Sequence, residues 1–370
     1  MAGIYIHIPF CKKRCLYCDF FSSTNGEKKA QYVEALCEEL HDRKDYLQGQ
    51  VIETIYFGGG TPSQLSAGEF EKIFDTIHSI FENISDNFEI TLEANPDDIT
   101  PDYLNSIQHL PFNRISLGIQ SFDDKELQFL NRRHDAHSAI TAIQLLQKER
   151  FDNISIDLMY GLPGQTPEIW EKTLRQAMDL DVQHISAYHL IYEENTPLFS
   201  LLEQGKITPV DEELSVQLFE ILIDKLEDAG FEHYEISNFA KHGYRSRHNS
   251  SYWTGAHYLG IGASAHSYNG LSRQWNKETL DAGYRAQDSD LEIIDAKTAY
   301  NDFIITRLRM KEGIDLRKMI SLFDADKKTH CLQQAQKYIE NQLLELKNNH
   351  LRLTRKGIFI SDGIMSDLLL

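Results

Sequence analysis

The chain has 370 residues, 41% of them hydrophobic, enough for one large domain or for a larger domain with a smaller appendage. Its formal net charge of -19 counts against loose adhesion to nucleic acid, which needs clustered Lys and Arg, and no apolar run approaches a membrane span. The N-terminal Met-Ala-Gly-Ile-Tyr-Ile-His lacks a secretory signal's charged-then-apolar pattern, so the reading is a cytoplasmic protein with no nucleic-acid partner.

In chain order, β-rich runs recur at Ile4 to Pro9, Val51 to Phe57, Phe88 to Ala94, Arg114 to Gln120, Asn153 to Tyr160 and His184 to Leu190. Helical patterns fill the intervals near 27–47, 66–82, 100–109, 123–150 and 167–180. This alternation predicts a parallel α/β sheet. Glycine and proline gather just past the strands, as in Gly58-Gly59-Gly60-Thr61-Pro62, and such sheets collect ligands at those C-terminal ends. Past residue 190 the rhythm changes to a helix near 209–229, a strand at Phe231 to Ile236, and a polar loop rich in Ser, Asn, Gly and His. From about 290 the chain reads as helices, a hairpin at Leu344 to Thr354 and a last short helix, a winged-helix-like unit. Its Asp and Glu stand beside its Lys and Arg, which favours a scaffold or docking role over DNA binding. The expected division is 1–190, 191–289 and 290–370.

Of five cysteines, Cys11, Cys15 and Cys18 crowd into eight positions while Cys37 and Cys331 stand alone. That pattern points to thiolate metal ligands in a reducing compartment rather than to disulfides. Three thiolates from one loop leave one iron of a [4Fe-4S] cluster open. An open iron can chelate the amino and carboxylate groups of S-adenosylmethionine (SAM), and an electron passed to the sulfonium cleaves it to a 5'-deoxyadenosyl radical. Zinc is the main alternative, with His7 as a fourth ligand. Cys37, inside an amphipathic helix, reads as a buried apolar residue. The glycine turn offers unshielded backbone to the zwitterionic end of SAM, although an ordinary strand-to-helix turn looks the same. Glu93 and Gln120 end neighbouring strands and suit a ribose or an amino group, Arg132 suits a carboxylate, and Asp157 sits in an apolar strand where a charge needs a partner.

Tyr5-Ile6-His7-Ile8-Pro9-Phe10-Cys11 through Cys18, Gly58 to Pro62, Glu93-Ala94-Asn95-Pro96, Gly118-Ile119-Gln120-Ser121-Phe122, Asn131-Arg132 and Asp157-Leu158-Met159-Tyr160-Gly161-Leu162-Pro163 follow one another in a specific order and spacing. Together they closely resemble the branch of radical SAM proteins that contains oxygen-independent coproporphyrinogen oxidases and HemW-type heme chaperones. The resemblance covers essentially the whole chain. It implies a radical SAM partial (β/α)6 barrel with a smaller C-terminal helical, winged-helix-like domain, a cluster on Cys11, Cys15 and Cys18, and SAM contacts from Tyr5, Tyr17, Gly59, Gly60, Thr61, Glu93, Gln120, Arg132 and Asp157.

Within that branch the oxidases continue C-x-x-C-x-C and carry an N-terminal extension, whereas here Asp19-Phe20 follows Cys18 and the first strand begins almost at Met1. His248-Asn249-Ser250-Ser251-Tyr252-Trp253 matches the H-N-x-x-Y-W motif that HemW-type proteins use for heme. The resemblance thus implies His248 as an axial ligand, Tyr252 and Trp253 over a porphyrin face, and Lys241, Arg245 and Arg247 as a cationic patch for propionates. The expectation is a heme chaperone serving apo-proteins such as respiratory enzymes, with a homodimer and a transient membrane contact left open. Oxidative decarboxylation by coproporphyrinogen III dehydrogenase is the alternative, and no catalytic residue is assigned.

Overall fold

A computed structural model describes residues 2–149, 151–280 and 290–370. Residue 150, at the end of one expected helix, and 281–289, at the end of the expected extension, lie outside the described residues.

Six parallel strands, β1 (Ala2–Ile8), β2 (Ile52–Gly59), β3 (Ile84–Ala94), β4 (Arg114–Gln120), β5 (Ile154–Tyr160) and β6 (His184–His189), lie side by side in chain order. A parallel neighbour needs a crossover, and α1 (Lys29–Asp42), α2 (Ala67–Ile80), α3 (Pro101–Ile107), α4 (Asp124–Phe129), α5 (Ala136–Lys148) and α6 (Pro167–Asp179) occupy these. Successive strand residues point to opposite faces. One set, Ile4, Ile6 and Ile8 with Ile90, Leu92, Ile115, Leu117, Ile154 and Ile156, packs in one core with Leu36, Leu40, Phe70 and Phe74 of the helices. Each buried Ile or Leu contributes roughly 1.5–3 kcal/mol, so this outer face holds the barrel together. The other set, Tyr5, His7, Thr54, Tyr56, Glu93, Arg114, Ser116, Asp157, His184 and Ser186, is polar, which leaves the inner face for chemistry.

The single helix expected over 123–150 is two. Asn131 leaves the helical region at φ 62, and the Asp135 carboxylate restarts the helix by accepting the Ser138 N–H. The break turns Arg132 and Arg133 toward the strand ends.

Past β6 come α7 (Pro197–Glu203) and α8 (Glu212–Asp228), then β7 (Glu232–Glu235) and β8 (Asn238–Ala240), which extend the sheet antiparallel from β6. The expected polar loop contains a helix, α9 (Arg247–Trp253): the Ser246 hydroxyl caps it by accepting the Asn249 N–H, and Gly255 at φ 68 follows its end. Next, β9 (His257–Ile261) pairs parallel with the free side of β1 and continues antiparallel into β10 (His266–Tyr268), β11 (Ser272–Trp275) and β12 (Asp290–Ile293). Among the described residues the sheet has 12 strands, ordered β12-β11-β10-β9-β1-β2-β3-β4-β5-β6-β8-β7.

The C-terminal part runs α10 (Ala296–Leu308), β13 (Ile314–Asp315), α11 (Leu316–Leu322), α12 (Ala325–Glu340), β14 (Leu344–Lys347), β15 (His350–Leu353), α13 (Arg355–Ile358) and α14 (Ser361–Asp367). This helical, winged-helix-like order has its own core of Tyr300, Ile304, Met319, Cys331 and Leu351. It is stitched to the barrel by Lys311 N–H on the Tyr234 carbonyl at 3.0 Å and Ile236 N–H on the Arg309 carbonyl at 3.2 Å. Among the described residues no helix is long and apolar enough to cross a membrane.

Candidate functional site

The C-terminal ends of the strands open into a cavity of about 430 Å³, lined by Cys11, Cys15 and Cys18 together with Tyr17, Gly59, Gly60, Thr61, Glu93, Gln120, Arg132 and Asp157. The cysteine loop leaves β1 and is pinned back on itself, Ser23 N–H donating to the Pro9 carbonyl at 2.6 Å and Cys11 N–H to the Ser23 carbonyl at 2.9 Å. Its sulfurs meet side chains from distant segments. The Thr61 hydroxyl lies 3.4 Å from Cys11 Sγ, and Arg132 Nη1 lies 3.1 Å from Cys15 Sγ. Asn95 joins the two, its Nδ2 donating to Thr61 Oγ1 at 3.1 Å and its Oδ1 accepting from Arg132 Nη2.

Glycine is required where the turn after β2 passes this loop. Gly59 has φ 106, and a Cβ there would stand 2.5 Å from the His7 ring; one on Gly60 would stand 2.8 Å from the Ile8 carbonyl oxygen. Glu93 reaches into the cavity from β3 and accepts from the Tyr56 hydroxyl at 2.6 Å and from Gly59 N–H at 3.2 Å. Burial pushes its carboxyl up to about 7 against the Tyr56 bond, and burial pushes Asp157 up to about 6 against a bond from Ser186. Gln120 closes β4 at φ 71, beside a register slip between β4 and β5. A non-glycine residue held there costs of order 1–3 kcal/mol, a strain concentrated at functional sites. The Nε of Arg132 is buried and has no partner among the described residues. An unmatched guanidinium N–H lining one cavity with two raised carboxyls is a set of groups suited to an amino-acid zwitterion, one end to each.

Two expected residues lie elsewhere. Tyr5 is one layer deeper, its hydroxyl 3.2 Å from His7 Nδ1 and its ring stacked on Tyr56. His248 is deeper still. It is 1% exposed, with Nδ1 2.8 Å from Thr54 Oγ1, Nε2 2.7 Å from the Tyr252 hydroxyl and its ring stacked on Tyr56. Burial, then the charge of Arg114, lowers its pKa to about 3, so the imidazole is neutral. Glu89 holds the helix over it by accepting the Arg247 and His248 N–H groups. The cationic patch is also different from the one expected. Lys241 pairs with Asp181, Arg245 with Glu232 and Glu312, and Arg247 with Glu53.

The largest omission from the sequence reading is Asp98. Buried in the loop after β3, it accepts from Lys12 Nζ at 2.6 Å, Ser63 Oγ and Gln64 Nε2 at 2.9 Å each, and Arg133 Nη2 at 3.4 Å. It therefore ties the cysteine loop, the glycine turn and the Arg132 segment to one carboxylate. Its only trace in sequence is its place two residues past Glu93-Ala94-Asn95-Pro96, in a loop after a strand. At the rim, Phe20 and Ile191 line the opening with exposed rings and branches.

Residues 5–177 match the Radical SAM superfamily and residues 294–360 the HemN C-terminal domain. A solved structure, "Coproporphyrinogen III oxidase (HemN) from Escherichia coli is a Radical SAM enzyme", superposes with a TM-score of 0.85 over 99% of this chain and 89% of that one at 23% identity, a likeness of fold. Fold and mouth together define a radical SAM protein. Two curated relatives are named heme chaperone HemW: that of Lactococcus lactis subsp. lactis is 31% identical over 99% of this chain and 97% of its own, and that of Bacillus subtilis 38% identical over 75% and 73%. The chain belongs to the HemW family.

Proposed function

We propose that this chain is a heme carrier whose barrel mouth holds a [4Fe-4S] cluster and SAM. The observation that carries the reading is 31% identity to a heme chaperone along 99% of the chain, a span that includes the H-N-x-x-Y-W hexapeptide.

The donor set fits the cluster. Cys11, Cys15 and Cys18 are three soft ligands on one loop, and each would hold a different iron, so they need not converge on one ion. Among the described residues no three His, Cys, Asp or Glu side chains are placed to share a single metal. When bound, the cluster supplies an electron to SAM. The chain's own residues do the holding. Arg132 Nε would serve the SAM carboxylate, Glu93 and Asp157 would accept from its ammonium and ribose, the Gly59-Gly60 backbone would serve its methionyl end, and Tyr17 and Gln120 would complete the lining. Phe20 stands two residues past Cys18, where the oxidase branch has a further cysteine, and it can neither ligate nor transfer a proton.

His248 is the heme-iron ligand in this reading. Its neutral ring is the ligating form, and it becomes reachable when the Tyr252 hydroxyl lets go of Nε2 and α9 lifts. Tyr252 and Trp253 then cover the porphyrin. The carrier works in the cytoplasm and hands heme to apo-proteins, respiratory enzymes among them, which brings it transiently to a membrane surface.

The test is an anaerobic heme titration of cluster-reconstituted protein beside His248→Ala, followed in the Soret band. Saturable binding weakened in the variant is expected. Binding indifferent to the substitution would remove His248 from the account, and no binding at all would remove the carrier reading.

A further inference from the structure

On the side of α9 away from His248, a cleft of about 400 Å³ separates that helix from the C-terminal domain, with Arg245, Arg247, Ser250, Thr254, Arg307 and Glu312 on its walls. Helical spacing explains the two sides. Arg247, Ser250 and Thr254 follow one another three and four residues apart along one stripe, while His248 and Tyr252 form another. The guanidiniums are not equal. Glu232 and Glu312 neutralise Arg245 and Glu53 neutralises Arg247, but Arg307 forms no ion pair among the described residues. Its Nη2 donates to the Thr254 carbonyl at 2.6 Å, at the C-terminal end of α9, and its Nε is buried without a partner. The Ser250 hydroxyl is likewise buried and, among the described residues, unpartnered.

With Arg245 and Arg247 already paired, Arg307 is the guanidinium of this cleft that no carboxylate matches among the described residues, in a chain whose net charge is -19. Buried donors left unmatched cost free energy that a ligand recovers. A guanidinium fork matches a carboxylate in shape as well as charge.

We propose that this cleft binds the carboxylate groups of the porphyrin cargo, with Arg307 as the free guanidinium and Ser250 as a hydroxyl donor, and with the macrocycle outside. The proposal rests on the heme reading above and deepens it. Because the cleft and His248 are on different sides of α9, the cleft engages the porphyrin while the imidazole is still covered. A carboxylate there competes with the Thr254 carbonyl for Arg307 and so loosens the helix that encloses His248.

Iron-free protoporphyrin IX and its dimethyl ester separate the two ideas, since neither can be ligated through iron. Fluorescence titrations are run on the full chain, Arg307→Gln, Ser250→Ala and His248→Ala, each checked for native circular dichroism. The free acid is expected to bind about tenfold more tightly than the diester, the size of one charge-assisted hydrogen bond. That preference survives in His248→Ala, falls toward parity in Arg307→Gln and falls by a smaller factor in Ser250→Ala. Equal binding of acid and diester, or a preference that outlasts Arg307→Gln, overturns the cleft while leaving the heme reading standing. Failure of the full chain to bind either porphyrin or heme overturns both.

Discussion

The two ends of the barrel interior are built on opposite principles. At the mouth, cysteines, glycines and charged groups from five strands face an open cavity with an orphaned Arg132 Nε and two carboxyls raised by burial. At the other end, α9 lies across the interior and both ring nitrogens of His248 are already paired. The contrast teaches that the mouth is organised before its ligands arrive, whereas the far end has to open before an iron can reach its imidazole.

The largest effect that would break this comparison is at the mouth. Cys15→Ala is expected to lose nearly all reconstituted iron and the associated visible absorbance while keeping the fold, because Cys15 is only half-buried and Arg132, which loses the sulfur, keeps its bonds to Asn95 and the Gly118 carbonyl. Iron analysis and circular dichroism on the same sample check it. Next is Asp98→Ala. Removing a buried carboxylate that serves Lys12, Ser63, Gln64 and Arg133 should destabilise by about 2–4 kcal/mol in denaturant melts and also lower iron occupancy, although the residue touches no cysteine.

Glu93 provides a pH test of the mouth. It faces Tyr56 and Gly59 on β2, Asp157 on β5 and Arg114 on β4, with Tyr5 and Tyr252 nearby. Its folded pKa of about 7 lies above the ordinary 4.5, so between those values the folded state holds a proton the unfolded chain has released. Its contribution to stability is therefore complete below about pH 4.5 and is lost as pH rises toward 7. SAM, cationic at its sulfonium and ammonium, favours the ionised carboxylate, so its affinity should rise from pH 6 to pH 8, with Glu93→Gln weaker and flat. Calorimetric titrations at several pH values read this directly.

The smallest effect sharpens the far end. Tyr252→Phe removes the hydroxyl at 2.7 Å from His248 Nε2 and should cost about 1 kcal/mol while speeding heme association severalfold in stopped flow. If association slows instead, the hydroxyl is part of the heme site and not its latch.

The barrel was readable in sequence because each strand carries its apolar residues on alternate positions, and the cysteine triplet because metal chemistry imposes its own spacing. The interior was less so. Asp98 sits beside Asp97 in a loop, where two acids suggest a solvated turn, and only the folded chain brings Lys12, Ser63, Gln64 and Arg133 to it. His248 lies in a polar hexapeptide whose composition suggests a loop; the signals for a helix were Ser246 as a cap and the four-residue spacing to Tyr252. The pairing of the cationic patch was hidden for a related reason, since Lys241, Arg245 and Arg247 are near one another in sequence while their acids, Asp181, Glu232, Glu312 and Glu53, come from elsewhere. Arg307, which forms no ion pair among the described residues, belongs to the C-terminal part of the chain.

The carrier reading is tested most directly by loading the cluster-reconstituted protein with heme, mixing it with an apo-hemoprotein and following transfer, while a parallel sample with coproporphyrinogen III, SAM and a reductant is analysed for product. Transfer of heme with the coproporphyrinogen recovered unchanged is the predicted result. Decarboxylated porphyrinogen, or heme that stays on the loaded protein in the presence of every acceptor tried, would contradict it.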